Sequence, residues 1–499
     1  MTFVGYAHLI RSLPIHAMEP VTTAEVRTVT RKEVIGTTLA IPARLAPDPE
    51  DILGHVLFAL KHEGINLQVL SQVLPLIPEP ELDTAVAASP NSQYLRKACY
   101  LWEHYTGQAI SSAPENSKAA YVPLFDPGQY ITAQAGTRNA RWRVIFNGFG
   151  SLNYCITVRK TPELEALLAK NLLRQVSEFT ESLPKDILNR TLAWAYLHET
   201  RDSYAIEKEL PSEDKATRFV NLLKQAHTPR ELDEDYLVDL QNAVISNVFA
   251  QAASFRIEQN YLSNGLRGAL GVTYLPPDPQ LGRELMEELM TLANHPPEGT
   301  EPLVLASLVS FAFVFIHPFM DGNGRLSRFL FHQVLCQQGA LQNGLVLPVS
   351  IVLRQNEGEY LSVLQEFSEK ARRFWDVTFV DEAQYLFDFK GHEAIYRFWD
   401  GTRCVEFMAR AAEQAIEQHL KDETIFLHRY DQIYRLIDRE FDVMNSDLSR
   451  LVMFCLDQHG RISNNRRKQY QYRVPDEVFD ALERAYRQVV AEDAPPNAH

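Results

Sequence analysis

The sequence predicts a mainly α-helical protein with one β-hairpin in its helical part, a mixed α/β region before it and a helical region after it. Two observations predict this. From Thr161 onward helical periodicity dominates, whereas the earlier chain mixes short helical runs, alternating strands and Ser-, Ala- and Pro-rich loops. Within the helical part, two β-leaning runs flank Asn264-Gly265, a hairpin signature. At 499 residues the chain exceeds a single core. It divides into a mixed region (1–158), a helical region (159–392) and a C-terminal region (393–499). Hydrophobic content of 45% and charged content of 23% are those of a soluble globular protein. A net charge of −15 argues against a general nucleic-acid or anionic-membrane binder. The five cysteines are scattered without a C-x-x-C pair, which fits reduced thiols and gives no zinc site. No signal-peptide layout and no run of roughly 18 apolar residues is present, so a cytoplasmic protein without a membrane span is expected.

In the first region, Asp48-Pro-Glu-Asp-Ile-Leu opens a helix that Gly64 closes, and Gln93 to Tyr105 forms another. The alternating runs 141–146 and 153–158 read as a hairpin. No catalytic spacing occurs here, which leaves a recognition or packing role. The helical region then offers helices from Pro162, over about 186–207, and over 237–253. The hairpin follows at 256–276, where Pro276-Pro277 stops the second strand, and a helix covers 281–292. Residues 302–315 are apolar nearly all round, too short for a membrane, and read as the central helix of a bundle.

That helix delivers Ile316-His317-Pro318-Phe319-Met320-Asp321-Gly322-Asn323-Gly324-Arg325-Leu326-Ser327-Arg328. Pro318 blocks continuation, and Gly322 and Gly324 allow a turn that bares backbone N–H groups. A new helical run starts there, so those amides crown a helix N-terminus and form an anion cradle. Arg325 and Arg328 stand three apart on one face. Asp321 offers a hard oxygen for Mg²⁺, and His317 a base that works at neutral pH.

This stretch resembles the Fic family motif H-P-F-x-[D/E]-G-N-G-R-x-x-R at every specified position. The resemblance covers roughly residues 160–390 and implies a Fic helical bundle with the 256–276 hairpin as a target-binding flap carrying Asn264 and Gly265 at its turn. It implies transfer of AMP from ATP, with Mg²⁺, to a Ser, Thr or Tyr hydroxyl of a protein substrate. His317 would be the base and Asp321 the metal ligand. Gly322, Asn323 and Gly324 would hold the α-phosphate, Arg325 the β-phosphate and Arg328 the γ-phosphate. Ser203-Tyr-Ala-Ile-Glu207-Lys208 is similar to the family's inhibitory pattern [S/T]-x-x-x-E-[G/N], whose Glu pairs with the second motif Arg. Lys208 departs from it. Asn356-Glu-Gly-Glu-Tyr360 is similar to the later N-[R/K]-x-x-Y segment near the base, and Glu357 departs from that one.

Rival readings remain at this level. A phosphate-transferring relative carries a basic residue in place of the second Gly, and Gly324 argues against that reaction. Removal of AMP is the closer rival, because a Glu placed like Glu207 could orient water. Self-modification and a homodimer stay open. Beyond the helical runs 394–420 and 430–457, the cluster Arg461 to Lys468 reads either as a solvated basic turn or as part of a winged-helix module. The second reading would make the chain a DNA-binding or toxin-partner regulator, against the overall negative charge.

Overall fold

The computed structural model describes residues 2–113, 118–245, 250–381 and 384–493. The apolar run becomes the helix Pro302–Ile316, started by a proline whose fixed φ suits a first turn. Every residue from Leu303 to Ile316 except Val314 is buried. Helices Pro279–Asn294, Asn323–Gln337 and Thr402–Gln414 pack around it. The apolar core they share runs from Phe149 to Leu420. A second core joins Tyr6 to Leu152 with Cys155, Ala394 and Phe398, and a third lies between Ile433 and Val489.

The cores divide the chain differently from the sequence periodicity. Helix Thr402–Gln414 belongs to the central core, not to a separate C-terminal unit. The predicted helix over 394–420 is interrupted by strand Phe398–Asp400, which pairs in parallel with Cys155–Arg159. Gly401 permits this closure, since a Cβ there would lie 2.6 Å from Leu308 Cδ2 on the central helix. Strand Cys155–Arg159 also pairs antiparallel with Phe149–Gly150 and Tyr130–Ile131. The predicted hairpin is therefore shifted. Val144–Phe146 pairs with Thr137–Asn139 and Val122–Pro123 instead, and the chain turns later, at Gly150 with φ +108°.

Helix Glu234–Val244 realises the start of the predicted 237–253 run, of which residues 246–249 lie outside the described residues. The sequence reading assigned no element to the ladder Trp375–Asp381 with Gln384–Phe389, although its residues alternate. C-terminal helices Lys421–Glu440, Asn445–Asp457, Asn464–Tyr470 and Asp476–Asp493 build the third core. Among the described residues no strand follows Phe398–Asp400, so a winged helix has no wing here. The basic cluster begins helix Asn464–Tyr470, where Arg467 is paired with Asp480 and Glu483 at 2.7 and 2.8 Å. No helix among the described residues is long and apolar enough to cross a membrane.

The helix Lys185–Ile206 matches the predicted 186–207 run and is pinned along its length. Buried Glu199 accepts from Ser350 N and Oγ at 2.9 and 2.6 Å and lies 3.0 Å from His332 Nε2. Asp202 accepts from Arg354 at 2.6 Å, and the Tyr196 hydroxyl donates to the Gly344 carbonyl at 2.7 Å. Truncating Glu199 strands a buried amide and a hydroxyl. Glu199→Ala is expected to cost about 3 kcal/mol, read as a lower thermal unfolding temperature of the full chain, and Glu199→Gln to cost less because it still accepts.

Candidate active site

His317 follows the last residue of the central helix in a left-handed conformation, φ +54° and ψ 58°, that non-glycine residues rarely adopt. Its Nδ1 lies 3.1 Å from the Val314 carbonyl. A carbonyl can only accept, so Nδ1 carries the proton and Nε2 is left with a lone pair. Burial lowers the imidazole pKa to about 4; the Val314 carbonyl opposes the shift, nearby Arg256 adds to it, and Glu207 and Asp321 oppose it weakly. The ring is thus an unprotonated base at any pH well above 4.

The loop after it is built by groups the motif itself supplies. Asn323 is buried, with Oδ1 accepting from Phe319 N at 3.0 Å and Nδ2 donating to Phe319 O at 2.7 Å. This corrects its expected role: the side chain is consumed in shaping the loop and is not free for a phosphate. Gly322 takes φ +90°, and its N–H donates to Asp321 Oδ1 at 2.6 Å, so that amide is also committed. The cradle that remains is the first turn of helix Asn323–Gln337, whose leading N–H groups have no acceptor within the helix. Glu207 Oε1 comes so close to Gly324 that a Cβ there would fall 2.1 Å from it and displace the carboxylate.

Both motif arginines are 2% exposed. Arg328 donates through Nη2 to Glu207 Oε1 at 2.8 Å and to the Ser203 carbonyl at 2.8 Å, and through Nε to Ser203 Oγ at 2.8 Å. Ser203 and Glu207, distant from the motif in sequence, are therefore both brought to it. Lys208 adopts φ +58°, the backbone state for which Gly or Asn is usual at that place in the pattern. Arg325 donates to Glu209 Oε2 at 2.8 Å, a partner sequence reasoning missed because Glu209 lies just outside the matched pattern. Asp321 is half exposed, and the bonds it makes among the described residues, to Gly322 N and Arg325 Nη2, use Oδ1. Among the described residues no group of three His, Cys, Asp or Glu side chains could hold a metal. A lone carboxylate beside an anion cradle fits Mg²⁺, which takes most of its ligands from phosphates and water.

Arg256 ties the hairpin to the motif. Its N–H donates to Pro318 O at 2.8 Å, Nε to His317 O at 2.9 Å, Nη1 to Glu258 O at 3.0 Å, and Nη2 to Pro277 O. Asn260 Nδ2 adds a bond to Phe319 O at 3.0 Å. The hairpin strands are short, Leu262–Ser263 and Val272–Tyr274, with a bulge. The loop expected around Asn264-Gly265 is a tip spanning 264–271, in which Asn264 Oδ1 accepts from Leu266 N and Gly265 takes φ +82°. The tip runs on past the expected loop because it includes the turn Ala269–Gly271. The unforeseen ladder lies behind it, with Tyr261 5.1 Å from Tyr385 and 5.4 Å from Phe387.

Asn356 makes its side-chain hydrogen bond within its own segment. It joins helices Val349–Gln355 and Glu357–Arg372, and its Nδ2 donates to Val352 O at 2.9 Å. The residue of that segment lying against Arg328 is Tyr360, which lines a small cavity with Ser310, Ser327 and Arg328.

Residues 231–335 match the family described as Fic/DOC. The chain carries a Fic domain. The matched span includes the hairpin and the motif helix but neither Glu207 nor Asn356. The protein adenylyltransferase Fic of Nematostella vectensis is 23% identical over 229 residues, 45% of this chain and 42% of that protein. The protein adenylyltransferase fic-1 of Caenorhabditis elegans is 27% identical over 130 residues, 25% of this chain and 23% of that protein. The chain thus spans less than half the length of these curated relatives. A solved Fic family protein from Desulfovibrio desulfuricans G20 aligns at 18% identity with a TM-score of 0.41, over 64% of this chain and 95% of that one.

The state of the Fic-domain base is open to direct measurement. With ¹⁵N-histidine labelling, the His317 ring should keep neutral-imidazole shifts from pH 8 down to about pH 5 and protonate near 4. A midpoint near 6.5 would contradict a ring desolvated as described.

Proposed function

We propose that this chain is a protein adenylyltransferase that moves AMP from ATP to a side-chain hydroxyl of a protein, and that Glu207 restrains it. The observation that carries the reading is a built anion site holding the protein's own anion. Glu207 Oε1 sits against Gly324 and on Arg328, at the helix N-terminus where a phosphate chain would lie. His317 Nε2 takes the proton of the attacking hydroxyl as the new O–P bond forms at the α-phosphorus and pyrophosphate leaves. The first-turn amides and Arg325 stabilise the charge that develops. Asp321 would hold Mg²⁺, which neutralises phosphate charge when bound.

Target engagement falls to the hairpin. Its tip carries Leu266 and Leu270, the latter 90% exposed, and its first strand Leu262–Ser263 is exposed, where an extended segment would add. Replacing residues 262–270 by a Gly-Ser link should raise KM for a protein target and leave ATP affinity intact. Loss of ATP binding would assign the hairpin to the nucleotide pocket instead.

Mass spectrometry after incubation with ATP and Mg²⁺ tests the chemistry through self-added AMP, or AMP on a supplied protein. His317→Ala should abolish incorporation while ATP still binds by calorimetry. Glu207 is 35% exposed at its side chain, so its ion pair is taken at about 1.5 kcal/mol, the lower end for a charge-assisted bond. Glu207→Gln should therefore raise incorporation about ten-fold, and adding Arg328→Ala should cancel the gain. Accumulation of product at an unchanged initial rate would assign Glu207 to removal of AMP.

A further inference from the structure

Glu207 is one of two carboxylates on this turn, and the second has its own arginine. Arg325 is as buried as Arg328. Its Nη1 donates to Glu209 Oε2 at 2.8 Å and to Val244 O at 3.3 Å, Nη2 lies 3.3 Å from Asp321 Oδ1, and the Tyr204 ring faces it at 5.2 Å. Its Nε has no partner among the described residues. A desolvated guanidinium in this position is an anion subsite, and Glu209 fills it.

The backbone explains how two carboxylates reach two arginines. Helix Lys185–Ile206 ends with Glu207 N and Glu209 N both donating to Tyr204 O at 3.1 Å, and Lys208 N donating to Ala205 O at 2.9 Å. Lys208 is the left-handed residue of that close. Reversal at Lys208 throws Glu207 to one side and Glu209 to the other, matching arginines separated by about one helical turn. Immediately beyond, Leu210 is 93% exposed, so no apolar anchor follows Glu209. The two ion pairs share one three-residue turn and hold it together.

Resting on the nucleotide reading above, we propose that Glu209 is a second carboxylate gate, seated on the Arg325 subsite. A ligand must then bring an anion to both arginines to replace both pairs. Two adjacent phosphates do this and a single phosphate does not. Glu209 thereby sets the ligand class as a nucleoside di- or triphosphate, and it acts through Arg325 where Glu207 acts through Arg328.

Calorimetry on the full chain with Mg²⁺ tests this, using ATP, inorganic pyrophosphate and adenosine as probes. Glu209→Gln keeps a hydrogen-bond acceptor but removes the charge. Because the Glu209 side chain is 41% exposed, the expected gain is about three- to ten-fold in affinity for ATP and pyrophosphate, with adenosine unchanged. The gain should persist with Glu207→Gln present, although not as a simple product because the two pairs share one turn, and vanish with Arg325→Ala. Weaker or unchanged ATP and pyrophosphate binding by Glu209→Gln, while Glu207→Gln binds more tightly, would overturn the gate and make Glu209 a positioning residue for Arg325. A lowered unfolding temperature without tighter binding would do the same. If no variant binds ATP or pyrophosphate, the nucleotide reading itself fails, and the gate with it.

Discussion

Two guanidinium groups, buried about one helical turn apart on the first turns of helix Asn323–Gln337, demand negative charge from somewhere. Removing a charge from water is costly unless an opposite charge and hydrogen bonds replace the lost solvation. In this chain both arginines are met by carboxylates from the end of one neighbouring helix. Much of the architecture around the motif serves that meeting. Glu199, Asp202 and Tyr196 pin helix Lys185–Ile206 to the segments that follow the motif, so its C-terminal turn has a fixed height over Arg325 and Arg328. The strained φ of Lys208 is tolerated because the two ion pairs determine the turn from both sides.

The base side of the site is built by a different device. Burial keeps His317 neutral, and the Val314 carbonyl fixes which nitrogen carries the proton. Arg256 then binds the carbonyls of His317, Pro318 and Pro277, so the loop and the hairpin root form one unit. The aromatic ladder behind the hairpin stiffens the same region from outside the motif. A neutral base, an amide-crowned helix and paired cations are thus held by separate supports, and altering one need not disturb the others.

Some of this was legible in the residues. The motif dictates its own local structure, since Pro318 must stop a helix, Gly322 must supply a positive φ, and an apolar run as uniform as Leu303 to Ile316 can only be central. Ser203 and Glu207 were found only through their resemblance to the Fic inhibitory pattern, and the four-residue spacing that puts both on one helix face is what lets them meet the single guanidinium of Arg328. Asn323 and Asn356 were assigned to the nucleotide by resemblance to family motifs, and a motif match does not tell which backbone groups an amide side chain bonds in this fold.

The sequence by itself determined the chemistry available at the motif, the helical character of the chain and the existence of a hairpin beside the site, because these follow from local sterics and periodicity. Only the tertiary structure decided which charges meet. Glu209 reaches Arg325 across 116 positions of chain, Phe398–Asp400 closes onto Cys155–Arg159 across a still longer interval, and Thr402–Gln414 joins the central core instead of the C-terminal one. Such pairings depend on which surfaces are buried together and which buried charges must be neutralised. Those are properties of the packed whole, and no window along the chain contains both partners.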